Sequence, residues 1–338
     1  MATAVNINEF LSLAQSHPVI DVRTPDEFNQ GHIMGAVNLP LFTNEERKII
    51  GTIYKQKGKQ PAVLEALGMV GPKLQDYVKQ GILLNRTNTF LVHCWRGGMR
   101  SSSMAWFLET YGFKCIVLKG GYKTYRKKVL DSFSEQKNIV VLGGRTGSGK
   151  TIILNELQKQ GEQIIDLENL AHHKGSSFGS LGEVAQRSQE QFENELSFQL
   201  SKINAERKCW VENESRKIGR NILPEGFWNQ MQEAMVVSVS LPKEIRLDYL
   251  VTEYGVFTKP ELTDAVNRIA KRLGGVQTKR AVEAIELGDF KTAFDICLFY
   301  YDKTYGFGEE RRPKEKLRIY EFSELNAEHI AATIKQYK

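Results

Sequence analysis

Residues 144–151 read Gly-Arg-Thr-Gly-Ser-Gly-Lys-Thr and decide the fold of the second half of the chain. They match the pattern G-x-x-x-x-G-K-[S/T], whose glycines let the backbone wrap a phosphate while the lysine supplies positive charge. The apolar run Asn138–Gly143 predicts a strand before the loop, and Lys150–Gln160 predicts a helix whose N-terminus points amides at the phosphate. We therefore predict a loop that binds phosphate or diphosphate. Its predicted contact residues are Gly144, Gly147, Ser148, Gly149, Lys150 and Thr151.

The phosphate loop needs polar partners from neighbouring strands. Thr151 would be available to coordinate Mg²⁺ if a nucleotide is bound. Acidic residues follow two predicted strands, Gln163–Leu167 and Cys209–Glu212, and polar loops in these positions line the carboxyl edge of a sheet, where ligands bind. The alternative is that they are ordinary surface loops. No resident metal is predicted, because the adjacent His172 and His173 cannot easily share one ion. The candidate acids and polar groups are Glu212, Glu214, Ser215, Arg216, Ser176 and Ser177, with Asp166 as a weaker candidate acid.

Upstream, residues 94–101 read Cys-Trp-Arg-Gly-Gly-Met-Arg-Ser, between a predicted strand, Thr89–His93, and a predicted helix, Arg100–Tyr111. A glycine-rich loop at a helix N-terminus can turn its amides toward an anion. Such a loop, with its arginines, stabilises a thiolate, which is the nucleophilic form of cysteine. The alternative is a buried cysteine beside a tight turn. We predict Cys94 as the nucleophile and, as anion-binding residues of its loop, Arg96, Gly97, Gly98, Arg100 and Ser101.

The order of the predicted elements indicates an α/β protein of two domains, residues 1–131 and 132–338. In both halves short apolar runs alternate with helical segments, which is typical of a parallel sheet with flanking helices. Strands are predicted in the first half at Pro18–Val22, Thr89–His93 and Lys114–Leu118, with a basic, helix-rich insertion at 43–81. A long amphipathic helix is predicted over Glu183–Arg207, and the C-terminal part is mainly helical.

Charge and composition restrict the partners and the compartment. The net charge is +6, and residues 1–131 hold 17 Lys/Arg against 10 Asp/Glu. This balance favours an anionic partner such as nucleic acid, although a basic surface that only contacts solvent would give the same excess of Lys and Arg. No apolar run approaches the ~20 residues that cross a bilayer, and the N-terminus lacks a signal pattern. The 4 cysteines show no paired spacing. We expect a soluble, cytoplasmic protein with free thiols and no membrane partner.

About residues 8–126 resemble the rhodanese family of sulfurtransferases. The resemblance rests on Val19–Arg23, Gly31-His32-Ile33, the Cys94 loop and Leu118–Gly121. It implies a rhodanese-like parallel sheet in which Cys94 carries a persulfide or its selenium equivalent, while Asp21 and Arg23 brace the fold and the loop. The loop reads Cys-x5-Arg, one residue longer than a simple sulfur-transfer loop, and resembles that of cysteine phosphatases of this fold. A longer loop suits a tetrahedral oxyanion, so a phosphatase and a phosphate-bearing sulfur or selenium donor both stay open.

The whole arrangement, a rhodanese-like domain followed by a P-loop NTPase-like α/β domain, resembles the tRNA 2-selenouridine synthase family. The motifs that carry this resemblance are Glu46-Arg47, 51–56, 94–101, 144–151, 170–179 and 212–215. The resemblance implies a transferase that acts on the wobble 2-thiouridine of tRNA. A geranyl group from geranyl diphosphate first alkylates the sulfur, and selenium from selenophosphate then replaces the S-geranyl group. No tightly bound cofactor is implied.

From this resemblance we hypothesise that the Lys150 loop holds geranyl diphosphate and the Cys94 loop takes selenium from a selenophosphate donor system. Two basic strips are candidate tRNA contacts: Lys119, Lys123, Arg126, Lys127 and Lys128, and Arg311, Arg312, Lys314, Lys316 and Arg318. The alternatives are a P-loop kinase or ATPase whose sulfurtransferase domain delivers sulfur, a cysteine phosphatase, and a non-catalytic RNA-binding adaptor.

Overall fold

The structure is a computed structural model that describes residues 2–84, 86–309 and 313–337. The chain divides into two compact units. The first comprises Met1–Ser132 with Glu193–Phe198, and the second comprises Phe133–Phe192 with Gln199–Lys338. Among the described residues, no helix is both long and apolar enough to cross a bilayer.

The first unit is built on a five-stranded parallel sheet in the order β1-β5-β4-β2-β3. The central strand β4 is apolar and almost wholly buried, because helices cover both faces of a parallel sheet. The strands are β1 Thr3–Val5, β2 Val19–Asp21, β3 Val37–Asn38, β4 Thr89–His93 and β5 Lys114–Leu118. The helices are α1 Ile7–Leu13, α2 Pro25–Gln30, α3 Asn44–Lys57, α4 Lys59–Val70, α5 Leu74–Leu84, α6 Met99–Tyr111 and α7 Gly121–Ser132.

The second unit has its own five-stranded parallel sheet, in the order β12-β11-β6-β8-β7, and a short antiparallel hairpin, β9-β10. The strands are β6 Ile139–Gly144, β7 Gln163–Ile165, β8 Cys209–Glu212, β9 Lys217–Ile218, β10 Asn221–Ile222, β11 Met235–Ser240 and β12 Leu317–Glu321. The helices are α8 Lys150–Lys159, α9 Leu167–Ala171, α11 Glu225–Glu233, α12 Lys243–Tyr254, α13 Lys259–Arg268, α14 Ala270–Leu273, α15 Gly275–Leu287, α16 Phe290–Glu309 and α17 Ala327–Ile334. Helix α10, Gln189–Ser201, belongs to both units, because its residues Glu193–Phe198 are part of the first. The predicted fold class is confirmed for both halves.

The predicted helix over Glu183–Arg207 is wrong at both ends. Helix α10 begins only after Ser188, whose hydroxyl accepts a hydrogen bond from the amide of Gln191 and so caps the first turn. Upstream, the side chain of Gln186 bonds to backbone groups of other segments, which holds residues 183–188 out of the helix. Downstream, the helix ends at Ser201.

Candidate active sites

The thiol of Cys94 lies at the carboxyl end of β4 and is 3% exposed. Its Sγ lies 3.2 Å from the hydroxyl oxygen of Ser101, which is itself buried and donates to the carbonyl of Gly98 at 3.0 Å. Gly98 is the N-cap residue of α6, and Gly97 has a φ of +63°, a conformation that favours glycine. The sulfur therefore sits at the base of a glycine turn beside a helix N-terminus, as an anion-binding loop requires.

The two arginines of this loop differ in their surroundings. Arg96 is exposed to solvent. The guanidinium of Arg100 instead bonds to both carboxylate oxygens of Glu27, at 2.6 and 3.3 Å. Glu27 also closes the capping box of α2 by accepting from the amide of Thr24. The charge of Arg100 is thus directed at α2, and Arg96 is the cation of the loop that faces solvent.

Asp21 and Arg23 form a fully buried ion pair beneath the Cys94 loop, with an N–O distance of 2.6 Å. Arg23 also donates to the carbonyl of Gly31 at 2.6 Å. Its guanidinium lies 3.7 Å from the ring centroid of Tyr122 and 5.8 Å from that of Trp95, the residue after the cysteine. Arg23 therefore links the sheet to the backbone that carries the thiol, because Tyr122 also donates its amide to the carbonyl of Cys94 at 2.8 Å.

The turn before α7 packs so tightly against the Cys94 loop that we expect Gly121→Ala to destabilise the first unit strongly. Gly121 has a φ of +61°, and an added Cβ would overlap the carbonyl oxygen of Cys94 and the amide of Gly97. Gly35→Ala is the matched control, since Gly35 has a φ of +76° but nothing within 4 Å of an added Cβ. We expect a loss of about 1–2 kcal/mol for Gly35→Ala from backbone strain alone and at least about 2 kcal/mol more for Gly121→Ala from the overlap. Urea denaturation measures both, and equal losses would contradict the packing argument.

The phosphate loop of the second unit joins β6 to α8. Gly147 and Gly149 have φ values of +82° and +71°, which turn the loop back on itself ahead of the helix N-terminus. The ammonium group of Lys150 lies 3.4 Å from the carbonyl oxygen of Gly144, across the mouth of the loop. The hydroxyl of Ser148 is buried and has no hydrogen-bond partner among the described residues. A buried hydroxyl without a partner is costly, so this atom is suited to a ligand oxygen.

Arg246, which the sequence did not indicate, holds the phosphate loop from α12. It is 3% exposed and donates to the carbonyl of Thr146 at 3.1 Å. Its guanidinium also forms a bidentate pair with Asp302 of α16, at 2.8 and 2.7 Å. The side of Gly147 packs against the backbone of Arg246, where an added Cβ would lie 2.7 Å from the carbonyl oxygen. Helices α12 and α16 thereby fix the position of the loop.

Carboxyl groups from the ends of β7 and β8 meet beside the phosphate loop. The hydroxyl of Thr151 donates to Glu168 at 2.9 Å, and Glu168 shares a hydrogen bond with Glu214. Burial and the charge of Glu168 raise the pKa of Glu214 to about 8, although Lys150 opposes the shift. Burial, with the neighbouring carboxylates Asp166 and Glu168, also raises the pKa of Glu212 well above its usual range. At neutral pH, Glu214 therefore carries a proton that it can release.

The oxygen donors around Thr151 fit a magnesium ion. A threonine hydroxyl and a carboxylate 2.9 Å apart beside a phosphate loop are hard oxygen ligands of the kind that Mg²⁺ prefers. Thr151 and Glu168 would hold the ion, with Glu214 next to them once it is deprotonated. Bound there, Mg²⁺ would neutralise part of the charge of a diphosphate.

The phosphate loop opens into a cavity of about 950 Å³. One wall carries charged groups that include Lys150, Glu168 and Glu214, and Ser176 and Ser215 also line the cavity. Apolar and aromatic side chains form much of the remaining wall: Ile152, Trp228, Tyr249, Leu250, Tyr254 and Tyr301. The cavity therefore joins a phosphate-binding end to an amphipathic space large enough for an organic substituent.

The other predicted polar residues are outside the described lining of this cavity and have different roles. Glu212 is fully buried behind it, where its carboxylate accepts from the amide of Leu167 at 2.9 Å. Ser177 bonds to the phenol of Tyr301, with 2.5 Å between the oxygens. Arg216 is exposed and lies 4.0 Å from Glu225.

Some side chains of the two predicted basic strips contact other residues, and others are exposed to solvent. In the first, Arg126 pairs with Glu193 at 2.5 Å and Lys128 donates to Asn8 at 3.0 Å. The other side chains of this strip are exposed to solvent: Lys119, Lys123 and Lys127. In the second strip, Arg311 and Arg312 lie outside the described residues.

The proton on Glu214 predicts how stability depends on pH. An acid whose pKa is higher in the folded protein than in the unfolded chain takes up a proton on folding, so stability falls as pH rises from about 4.5 through about 8. We expect Glu214→Gln to remove this dependence and to stabilise the protein at pH 8.5 relative to wild type. At about 1.4 kcal/mol per pKa unit, the difference reaches several kcal/mol and shrinks toward pH 5. Urea denaturation across this range measures it, with the exposed Glu233→Gln as control; parallel pH profiles for wild type and Glu214→Gln would contradict the assignment.

Comparison with known proteins identifies a matching family model for each half of the chain. A rhodanese-like domain model matches residues 6–128, and the model of the tRNA 2-selenouridine synthase AAA domain matches residues 137–326. The tRNA 2-selenouridine synthase of Proteus mirabilis is 40% identical over 257 residues, which cover 75% of this chain and 69% of that protein. That of Nitrosomonas europaea is 37% identical over 251 residues, covering 72% and 64%. The match thus spans somewhat less than two thirds of the Nitrosomonas protein.

Several solved structures match this chain at the level of a single domain. The crystal structure of the N-terminal domain of a Clostridium difficile 630 protein is 40% identical and has a TM-score of 0.35, covering 38% of this chain and 99% of its own. The two family models together span most of this sequence, and the second alone spans more than half of it. The chain belongs to the tRNA 2-selenouridine synthase family.

Proposed function

We propose that this protein is a transferase that converts the wobble 2-thiouridine of tRNA to 2-selenouridine. The reaction has two stages. The thiouridine sulfur first attacks the C1 carbon of geranyl diphosphate, so that a carbon–sulfur bond forms, the carbon–oxygen bond breaks and diphosphate leaves. Selenium from selenophosphate then replaces the S-geranyl group, so that a carbon–selenium bond forms, geranylthiol leaves, and water releases the phosphoryl group as phosphate.

One observation carries this proposal: a single chain of this family holds both a cysteine loop shaped for an oxyanion and a phosphate loop that opens into a part-apolar cavity. The two stages need these two kinds of site. Selenophosphate is a tetrahedral oxyanion whose selenium is the attacking nucleophile, and geranyl diphosphate joins a diphosphate to an apolar chain.

We assign geranyl diphosphate to the phosphate-loop cavity. The amides of the loop, Lys150 and the unpartnered hydroxyl of Ser148 suit the diphosphate. The aromatic wall formed by Tyr249, Tyr254 and Trp228 suits the geranyl chain, and aromatic faces also stabilise the positive charge that develops on an allylic carbon as diphosphate leaves. The polar wall at Ser176 and Ser215 leaves room for the uracil ring.

We assign the selenium-transfer stage to the loop of Cys94. Its thiolate attacks C2 of the S-geranylated uracil, the carbon–sulfur bond to the geranyl group breaks and geranylthiol leaves. The selenium of selenophosphate then attacks C2, the Cys94 thiolate leaves, and water takes up the phosphoryl group to release phosphate. Burial raises the pKa of the thiols of Cys115, Cys209 and Cys297 to about 12, so these three stay protonated at neutral pH. Cys94 is placed differently, in a loop with the hydroxyl of Ser101 beside its sulfur and the exposed Arg96 nearby.

The test is to incubate the protein with 2-thiouridine tRNA, geranyl diphosphate and selenophosphate, and to analyse the nucleosides by mass spectrometry. The expected products are S-geranyl-2-thiouridine when selenophosphate is left out and 2-selenouridine when both donors are present. The proposal fails if neither nucleoside forms. Steady ATP turnover without modified tRNA would instead identify a kinase or ATPase, and release of phosphate from phosphoesters would identify a phosphatase.

A further inference from the structure

A second cavity, of about 450 Å³, lies next to the phosphate-loop cavity and shares Ser176 and Glu183 with it. Its other walls come from the loop after α9, from the tip of the β9-β10 hairpin and from the end of α13. We propose that this second cavity binds a backbone phosphate of the RNA next to the uridine that is modified. The identity of the RNA rests on the proposed function; the preference for an anion rests on the cavity itself.

The hairpin tip of the second cavity is held rigidly. The side chain of Gln186 donates to the carbonyls of Ala171 and Ile218, at 2.8 and 3.2 Å, and accepts from the amide of Arg220 at 2.8 Å. Gly219 has a φ of +60° and packs so closely on Gln186 that an added Cβ would overlap it. The backbone of Arg220 is therefore fixed at the rim of the cavity. Its exposed guanidinium donates one hydrogen bond to the carbonyl of Gln186, at 3.3 Å. The remaining guanidinium donors are available to a ligand.

A second arginine reaches the same cavity from another element. Arg268 lies in the last turn of α13 and is exposed. Burial and the charge of Arg268 lower the pKa of His173, a lining residue, so the guanidinium acts on this side of the cavity. Two arginines from separate elements thus face one space, which is the arrangement that recognises phosphate.

The charges of the two cavities differ in sign. In the described lining of the phosphate-loop cavity, acidic side chains outnumber basic ones even with Glu214 protonated: Asp166, Glu168, Glu183 and Glu253 against Lys150, Lys174 and Arg272. In the described lining of the second cavity, Arg220 and Arg268 stand against Glu183, whose carboxylate also lies 4.0 Å from the ammonium of Lys174. Away from the phosphate loop, a polyanion is therefore repelled by the larger cavity and attracted by the smaller one.

This division suits one nucleotide entering both cavities. An enzyme that alters a base takes the base out of the stack and into a pocket, while the backbone stays outside. With the neutral uracil in the larger cavity, the adjoining phosphate would reach Arg220 and Arg268 past Ser176, the residue that borders both spaces. A free phosphate or a mononucleotide offers the same chemistry without the attached chain, so the experiment has to separate these sources.

The test is the double variant Arg220→Gln with Arg268→Gln, because both side chains are exposed and their loss leaves the core unchanged. Affinity for 2-thiouridine tRNA is measured by fluorescence anisotropy at several salt concentrations. Each lost phosphate contact on single-stranded RNA makes the slope of log K against log salt shallower by about 0.7, which is about fourfold in affinity at ~0.15 M salt. We expect a slope shallower by about 1.4 and binding weaker by about 15-fold. The control, Arg280→Gln on α15, should match wild type.

Each outcome decides the assignment. Wild-type affinity and slope in the double variant overturn it. Loss of uridine monophosphate binding with unchanged tRNA binding also overturns it, because the cavity would then serve free nucleotides. Diphosphate binding, measured by calorimetry, should stay equal in wild type and variant, which shows that the phosphate loop is intact. If the wild-type protein binds no tRNA, the proposed function itself fails. If the wild-type protein binds tRNA and the variant shows the same affinity and salt slope, only the phosphate site of the second cavity is overturned.

Discussion

Lys150→Ala is expected to slow geranyl transfer to 2-thiouridine tRNA by at least about 100-fold, the usual effect of removing one group that stabilises developing negative charge. The ammonium of Lys150 lies at the mouth of the phosphate loop, where the leaving diphosphate gains charge as the carbon–oxygen bond breaks. Loss of this cation affects the transition state more than the bound substrate, so we expect kcat to fall more than KM rises. Single-turnover assays with radiolabelled geranyl diphosphate measure the rate.

The matched control is Lys159→Ala at the other end of α8. Its side chain is 71% exposed and pairs with Glu156 on the surface, so the rate of geranyl transfer should stay at the wild-type level. Selenation of tRNA that already carries S-geranyl-2-thiouridine should also be unchanged in Lys150→Ala, because that stage uses the other loop. A Lys150→Ala protein that geranylates tRNA normally would show that the diphosphate does not bind at residues 144–151.

The local sequence pattern was sufficient to predict the strands and helices that carry the two loops. The strand at Thr89–His93 was predicted with the bounds that the structure has, and the predicted helix after the phosphate loop differs by one residue at its end. These elements combine a buried apolar run with glycine at the turn, and both signals lie within a dozen residues of each other.

Contacts between distant segments were beyond what the pattern could predict. Glu168 was not indicated as a site residue, because it reaches Thr151 only through the strand order β6-β8-β7, which the sequence does not specify. Arg246 meets Asp302 across 56 positions, and Arg100 meets Glu27 across 73. A lone arginine or glutamate in a helix does not indicate which distant residue it contacts. Glycines and a lysine at fixed spacing, in contrast, indicate a phosphate loop.

Cys94→Ser is expected to abolish selenation while geranylation continues, so that S-geranyl-2-thiouridine accumulates in the tRNA. Serine keeps the size and the hydrogen bond to Ser101 but lacks the thiolate that attacks C2 and displaces geranylthiol. The free-energy cost to the fold should be small, since the buried site already accommodates a polar neighbour. Mass spectrometry of nucleosides after incubation with both donors measures the two products together, and we expect the yield of 2-selenouridine to fall by at least about 1,000-fold, as for the loss of a covalent nucleophile.

Cys115→Ala provides the control because it removes a cysteine from the neighbouring strand β5 of the same sheet. Burial raises the pKa of the Cys115 thiol to about 12, so it supplies almost no thiolate and its loss should leave the selenouridine yield unchanged. If Cys94→Ser retains full selenation, geranylthiol is displaced without this thiol. If it loses both products with an unchanged melting temperature, the thiol is needed before or during geranyl transfer, and the two loops do not divide the reaction as proposed. Only accumulation of the geranylated nucleoside is consistent with a phosphate loop that completes the first stage and a cysteine loop that acts in the second.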